Sequence, residues 1–437
     1  VTRKKKMLLL PAVPAALLLF MEIAVRIVID LPVQTDFYSS IGKEDVARLQ
    51  EKFGVRVNVG PDWAHLGWIA NPATQRYAIS SIDGSVETPV GEARFGSWLA
   101  EGLKPASRYV FRVRSSDGAF DRIVPLDTRG EGRGPAVTPF IASPWRPVFR
   151  PRKTGDYVND HTVYRTRDGT WHILGITAFG EGDYSKEKYF AHGISPSFPP
   201  ADGAMMEERD PVADFGRLAW APHVIVEDRY RMWFSPHRAY AAQSPDGYDW
   251  KEDDERSFLP YHAQFRDPMV LKIADGQWLM YATARDGYYS SVDVYQSFDL
   301  EHWQYIRPAL ETGFGAERAG ATATTESPFL LSHNGRYFLS VTYNNDSFFW
   351  NPLLLSMGVW LDRESYNETL VFAGTNPYSF GTYRGEKNAP SLAAVLRAHA
   401  PEYVYVDGKW YITTAGWPWV ASLTRGEVAV AELGWKE

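Results

Sequence analysis

Three carboxylates stand out by where they fall in a repeat. Five segments, YVNDHTVYRTRDGTWHIL, AWAPHVIVEDRYRMWF, FRDPMVLKIADGQWLM, TTESPFLLSHNGRYFL and AHAPEYVYVDGKWYIT, share one pattern. Each is a short β-branched or aromatic strand, a tight turn and a second aromatic-rich strand. With the turns aligned at Gly169, Arg229, Gly276, Gly335 and Gly408, the ninth residue before each is Asp160, Trp220, Asp267, Glu326 and His399. Equivalent positions of radially repeated units face a common axis, so these five side chains are expected to meet. Acids gathered in this way suit proton transfer, one carboxyl holding a proton that another lacks.

The elements that must position them read as short strands. Asp168-Gly169, Asp275-Gly276, Asn334-Gly335 and Asp407-Gly408 are dipeptides of the tight hairpin type. Most repeats are followed by a second strand pair ending in a motif such as AAQSPDGYDWKE or VYQSFDLEHWQY. Two pairs make a four-stranded blade, and the spacing predicts a five-bladed β-propeller over 143–437.

The motifs resemble those of the five-bladed β-propeller glycoside hydrolases, the superfamily of families 32, 43, 62 and 68. Those enzymes carry an acid in an N-D-P or D-P motif, a second in R-D-P and a catalytic Glu in E-x-P or E-C. Here stand Asn159-Asp160-His161, Arg266-Asp267-Pro268 and Glu326-Ser327-Pro328, in that order. His161 replaces the usual Pro, the full fructosidase signature is missing, and E-S-P is closer to family 43. The resemblance implies Glu326 as general acid, Asp160 as base or nucleophile, and Asp267 as holder of sugar hydroxyls that raises the pKa of Glu326. Trp220 is a candidate stacking platform, with blade packing the equal alternative. Arg266, His161 and His399 are candidate substrate contacts, and Phe179, Tyr343 and Trp417 candidate rim residues. A histidine like His399 lies near an ion or water cluster in some family 43 members, so a structural cation is admitted there; no metal or other cofactor is assigned.

Before the repeats, two further units are expected. TRKKK and the apolar run from Met7 to Ile29, 23 residues, are long enough for a membrane span. No A-x-A cleavage site follows, so residues 1–32 read as a basic flank and signal anchor, a cleaved signal peptide being the alternative. The basic flank would stay cytoplasmic and the rest would lie outside the inner membrane. Residues 33–54 read as a connector. Residues 55–129 resemble a fibronectin type III β-sandwich, on the stretch LKPASRYVFRVRS with Tyr109 as a tyrosine corner and Trp68 as core Trp. Residues 130–142, with GEGRGPAVTP, read as a linker. The fold class is therefore mainly β, with one N-terminal transmembrane helix.

The composition excludes several functions. With 437 residues and no Cys, the chain has no disulfide, thiolate metal site or Cys nucleophile. A net charge of −7 argues against nucleic acid as a partner. No phosphate-binding loop, dinucleotide fingerprint or H-E-x-x-H motif is present. Two functions remain: a membrane-tethered or exported hydrolase acting on a glycan such as a furanoside, and a non-catalytic propeller serving other membrane subunits as a scaffold. The aromatic stretch 344–380 is expected as a lid or partner contact.

Overall fold

The computed structural model describes residues 41–437 except 43, 72–75, 131, 133, 181–182, 213, 263, 287–288, 313–323, 345–365, 384–388 and 419–422; at 184, 285, 286, 289, 324, 343 and 344 it describes the backbone alone. Among the described residues no helix is long and apolar enough to cross a membrane. The expected span, 7–29, and most of the stretch 344–380 lie outside them.

Five antiparallel sheets follow one another along the chain. Their first, innermost strands begin at Asn159, Trp220, Arg266, Thr324 and Tyr403. The first sheet runs Asn159–Arg165, Trp171–Thr177, Tyr189–Ser195 and Glu207–Val212. The third gains a parallel outer strand, Gly381–Tyr383. Strand Tyr230–Ser235 of the second sheet is buried at every position, as expected of a blade covered on both faces. A separate apolar core fills each space between neighbouring sheets. Leu174 and Met232 share the first, Met280 and Trp233 the second, Tyr281 and Leu339 the third, and Phe338 and Ile412 the fourth. Ile173 and Val428 share the fifth, which closes the ring between the last sheet and the first. The result is a propeller of five blades.

The closure differs from the sequence expectation in one respect. Strand Thr138–Ile141 lies in the segment read as linker, yet it pairs with Val428–Lys436 as the outer strand of blade five. Strand Arg146–Phe149 pairs with the same partner. Its Gly/Pro content hid this segment, whose ladder partner lies at the far end of the propeller in sequence. The linker is thus shorter than 130–142.

The turns behave as their residues require. Asn334 and Gly335 (φ 51° and 69°) and Asp407 and Gly408 (φ 50° and 79°) both hold positive φ, the geometry of a two-residue hairpin whose twist matches its strands.

Helix α1, Val46–Phe53, lies in the expected connector and buries Val46, Leu49 and Phe53 with Phe298 of blade three. The next seven strands form two sheets. One has the order Val55–Val59, Trp63–Trp68, Ser97–Glu101; the other has the order Val86–Ala93, Tyr77–Asp83, Arg108–Ser115, Asp121–Asp127. They enclose Trp68, Tyr77, Ile79 and Val113. The Tyr109 hydroxyl accepts the Lys104 N–H at 2.8 Å, which ties the strand start back to the preceding loop.

This sandwich is docked on the propeller. Gln304 donates to the Trp68 carbonyl at 2.5 Å and accepts the Ala70 N–H at 3.0 Å. Gln296 donates to the Gly96 carbonyl at 2.6 Å, and His65 stacks on Tyr378 at 3.8 Å.

Candidate active site

The inner strands of blades one to four each carry a β-bulge near their start. In blades two to four, two residues stand against one of the partner strand between Trp220 and His223, Arg266 and Met269, and Glu326 and Phe329; blade one leaves Asp160 unpaired. Within the bulges Ala221, Asp267 and Ser327 take φ of 46°, 55° and 48°, and Ala400 at the head of blade five takes 44°. Each is followed by proline, which disfavours the right-handed helical region before it. Left-handed backbone at a non-glycine residue costs about 1–3 kcal/mol, a strain concentrated at functional sites.

The bulges correct the register read from the sequence. Asp160, Ala221, Asp267, Ser327 and Ala400 line one axial cavity, and so does the residue after each: His161, Pro222, Pro268, Pro328 and Pro401. Asp160 and Asp267 are therefore equivalent to each other, whereas Trp220, Glu326 and His399 hold the preceding position together with Asn159 and Arg266. The nine-residue count fails because blades one and three carry one residue more before the turn. In blade three it is a second bulge between Lys272 and Ala274; in blade one it is a longer loop between Arg165 and Trp171.

The three acids meet nonetheless, through Ser327 and Arg266. The Ser327 hydroxyl donates to Asp160 Oδ1, and the Ser327 N–H donates to Asp267 Oδ2 at 2.9 Å. Asn159 Nδ2 donates to Asp160 Oδ2 at 2.9 Å. Arg266 Nη1 donates to Glu326 Oε1 at 3.2 Å. Asp267 N–H is held by Ser235 Oγ at 3.2 Å, which links blades two and three.

Burial pushes Asp160 above the usual carboxylate range; the Ser327 bond opposes this and the Glu326 charge adds to it. Burial likewise raises Asp267, against the pull of Arg266 and with the charges of Asp160 and Glu326 adding. Two carboxyls joined through one serine, with a third beside them, cannot all ionise cheaply. Burial alone would lower the Arg266 guanidinium, but Glu326, Asp267 and Asp160 together hold it above its usual value.

The other expected residues fall around this centre. Trp220 is half-buried and packs on the core between blades one and two. His161 and His399 are buried, His161 in the lining of the axial cavity. His161 Nε2 pairs with Thr413 Oγ1 at 2.7 Å, and His399 Nδ1 with the Tyr366 carbonyl at 2.9 Å. Burial lowers both imidazoles, to about 3 and about 4, so they are neutral near pH 7. His161 Nδ1 and His399 Nε2 lack hydrogen-bond partners among the described residues. The axial cavity is about 20 Å³, room for a single water. Neutral imidazole and carboxylate could ligate a cation, but the cavity is of water size. Phe179 is exposed, and the Tyr343 side chain is outside the described residues.

One residue was missed. Glu187 heads EKYFAHGISPSF, a segment whose strand pattern reads as purely structural. It is fully buried, and its Oε1 accepts Tyr157 OH at 2.6 Å and Trp417 Nε1 at 3.0 Å. Burial pushes its carboxyl up to about 7; the two bonds oppose this, and Asp160 adds to it. The only sequence signal was a Glu directly before an apolar strand.

A polar cluster at the strand heads of a propeller, with one acid on left-handed backbone and another clamped by arginine, can be set against known proteins. Residues 225–374 match the family model described as glycosyl hydrolases family 32 N-terminal domain. That stretch holds Asp267 and Glu326 but not Asp160. The sequence motifs had leaned toward family 43. A comparison with curated proteins finds no match. Among solved structures, a family 32 β-fructofuranosidase from Bombyx mori is similar at 15% identity and TM-score 0.46, covering 66% of this chain and 62% of its own. Fructan 1-exohydrolase IIa from Cichorium intybus is similar at 14% identity and TM-score 0.44, covering 65% and 56%. An exo-1,5-α-L-arabinanase from a bovine ruminal metagenomic library is similar at 15% identity and TM-score 0.40, covering 65% and 95%. The chain thus spans about three fifths of the first two proteins.

Proposed function

We propose that the cluster of Asp160, Asp267 and Glu326 is a glycan-cleaving site, acting on furanosides or related sugars. The observation that carries this reading is the convergence of three carboxyls from blades one, three and four through Ser327 and Arg266. Glycoside cleavage needs a proton donor at the leaving oxygen and a second carboxylate on the other face of the sugar. Glu326 is the donor in this reading, its proton supplied once Arg266 turns from it toward the substrate. Asp160 activates water or attacks the anomeric carbon, with Ser327 and Asn159 holding it in place. Asp267, fixed on strained backbone, binds sugar hydroxyls. The match over 225–374 supports the substrate class.

A second reading is a non-catalytic propeller serving as accessory or scaffolding subunit of a membrane assembly. Two observations favour it: the Arg266 clamp on Glu326, and a cavity of about 20 Å³ where a sugar ring needs far more. The sandwich, read as fibronectin type III-like from its two sheets and the Tyr109 corner, suits either role as a rigid spacer. The N-terminal run is proposed to anchor the chain with its bulk outside the inner membrane.

A hydrolysis screen on fructan, arabinan and xylan oligosaccharides, wild type beside Glu326→Gln, separates the two. Turnover that falls at least 100-fold in the variant supports the site. No turnover in either protein, or equal turnover in both, rejects it.

A further inference from the structure

Glu187 has no role in the chemistry above, yet its surroundings are unusual for a structural acid. No lysine or arginine hydrogen-bonds to its carboxyl among the described residues; its two partners are aromatic donors, Tyr157 OH and Trp417 Nε1. A buried carboxylate without a cation is costly, and an apolar side chain of similar shape would serve packing better. Its Oε2 and the Trp220 Nε1 are both buried without a hydrogen-bond partner among the described residues. The Glu187 carbonyl also accepts the N–H of Ala219, the residue before Trp220, at 2.8 Å.

The three aromatic residues come from different places in the ring. Tyr157 precedes the inner strand of blade one, Trp220 heads that of blade two, and Trp417 follows strand Lys409–Thr414 of blade five. From Trp417 a stack leads back to the acids. Its ring lies parallel to Tyr366 (centroids 6.0 Å, 11°), and Tyr366 stacks on His399 at 3.8 Å. The Tyr366 hydroxyl donates to Asn159 Oδ1 at 3.2 Å, and Asn159 donates to Asp160.

We propose that Glu187 is a positioning residue that fixes Trp417 through its carboxyl and, through Ala219, the strand head that carries Trp220, and so sets the aromatic wall against which a neutral sugar ring is received. Indole rings give broad apolar surface with one polar edge. Glu187 takes up the Trp417 edge from behind, leaving for substrate the ring surface that Tyr366 does not cover. The sugar-receiving part of the inference rests on the hydrolase reading; the positioning part does not.

The test uses the whole chain labelled with 5-fluorotryptophan, with Trp417→Phe and Trp220→Phe assigning the two ¹⁹F signals. In the wild type both signals are expected to move with pH through a single midpoint, as Glu187 titrates. In Glu187→Gln, which keeps an acceptor for Trp417, the signals should stay near their place and lose that midpoint. In Glu187→Leu both should move and broaden while the other tryptophan signals hold. Signals of Trp417 and Trp220 that keep the wild-type midpoint in Glu187→Gln overturn the proposal, as does a wild type in which neither signal titrates. On any glycan the wild type cleaves, Glu187→Leu should raise KM about tenfold with kcat changed less, and Glu187→Gln should restore most of the loss. An unchanged KM in Glu187→Leu overturns the sugar-receiving part. If the wild type cleaves nothing, the fluorine signals still decide the positioning, and only the hydrolase reading falls.

Discussion

Ser327→Ala isolates the link between the two axial aspartates. The Ser327 hydroxyl donates to Asp160 and its backbone N–H to Asp267, so the substitution removes the first bond and keeps the second. A hydrogen bond to a charged group contributes about 1.5–3 kcal/mol. At 1.36 kcal/mol per pKa unit, its loss should raise the Asp160 midpoint by about 1–2 units. Burial already holds Asp160 high, so the added shift acts on a group titrating within reach of neutral pH. Asp267 should not follow. Its carboxyl is raised in part by the charge of Asp160, and an Asp160 that stays neutral to higher pH relieves that repulsion. The Asp267 midpoint should therefore hold or fall while that of Asp160 rises. The assay is ¹³C NMR of chains labelled at the aspartate carboxyl carbon, with Asp160→Asn and Asp267→Asn assigning the resonances. Ser327→Gly is the control: it loses the same donor but relieves the left-handed backbone (φ 48°), so it should show the same titration and the higher melting temperature. An Asp160 midpoint that stays in place, or an Asp267 midpoint that rises with it, refutes the reasoning.

Two further predictions concern stability. Burial lowers His172 to about 4 and His192 to about 3, and the two rings pair at 2.9 Å. The unfolded chain protonates each near pH 6.5, so the stability they confer is whole above that pH and falls as pH drops toward 4; at pH 5 the loss is about 2 kcal/mol per histidine at most. Buried carboxyls with raised midpoints act in the opposite direction, so the measurement is the difference in urea midpoint between wild type and His172→Phe/His192→Leu, which should narrow in the variant's favour from pH 7 to pH 5. Gln304→Leu leaves the Ala70 N–H and part of the Trp68 carbonyl unsatisfied at the sandwich junction, a cost of about 1–3 kcal/mol. Calorimetry should then show the sandwich melting ahead of the propeller, where the wild type melts as one.

The architecture was legible where local chemistry fixes it. Turn dipeptides such as Asn334-Gly335 require positive φ, and strand pairs between them announce blades. The site was legible by residue type, because Arg266-Asp267-Pro268 and Glu326-Ser327-Pro328 each build a bulge that only the following proline signals. The register was not. An extra residue between Lys272 and Ala274 lies inside an ordinary-looking strand, and it moved Asp267 out of line with Glu326. Closure by Thr138–Ile141 and the burial of Glu187 were also hidden, since both depend on partners far away in the chain. His161 and His399 were chosen for their chemistry, but chemistry does not show how deeply a ring is buried.

The most direct measurement is the structure of Glu326→Gln with a bound oligosaccharide from the fructan or arabinan series. The account predicts a sugar ring lodged between Asp160 and residue 326, Asp267 on its hydroxyls and Arg266 turned away from its present partner. An oligosaccharide that binds only elsewhere, with Arg266 still closed on residue 326 and water alone on the axis, would contradict it.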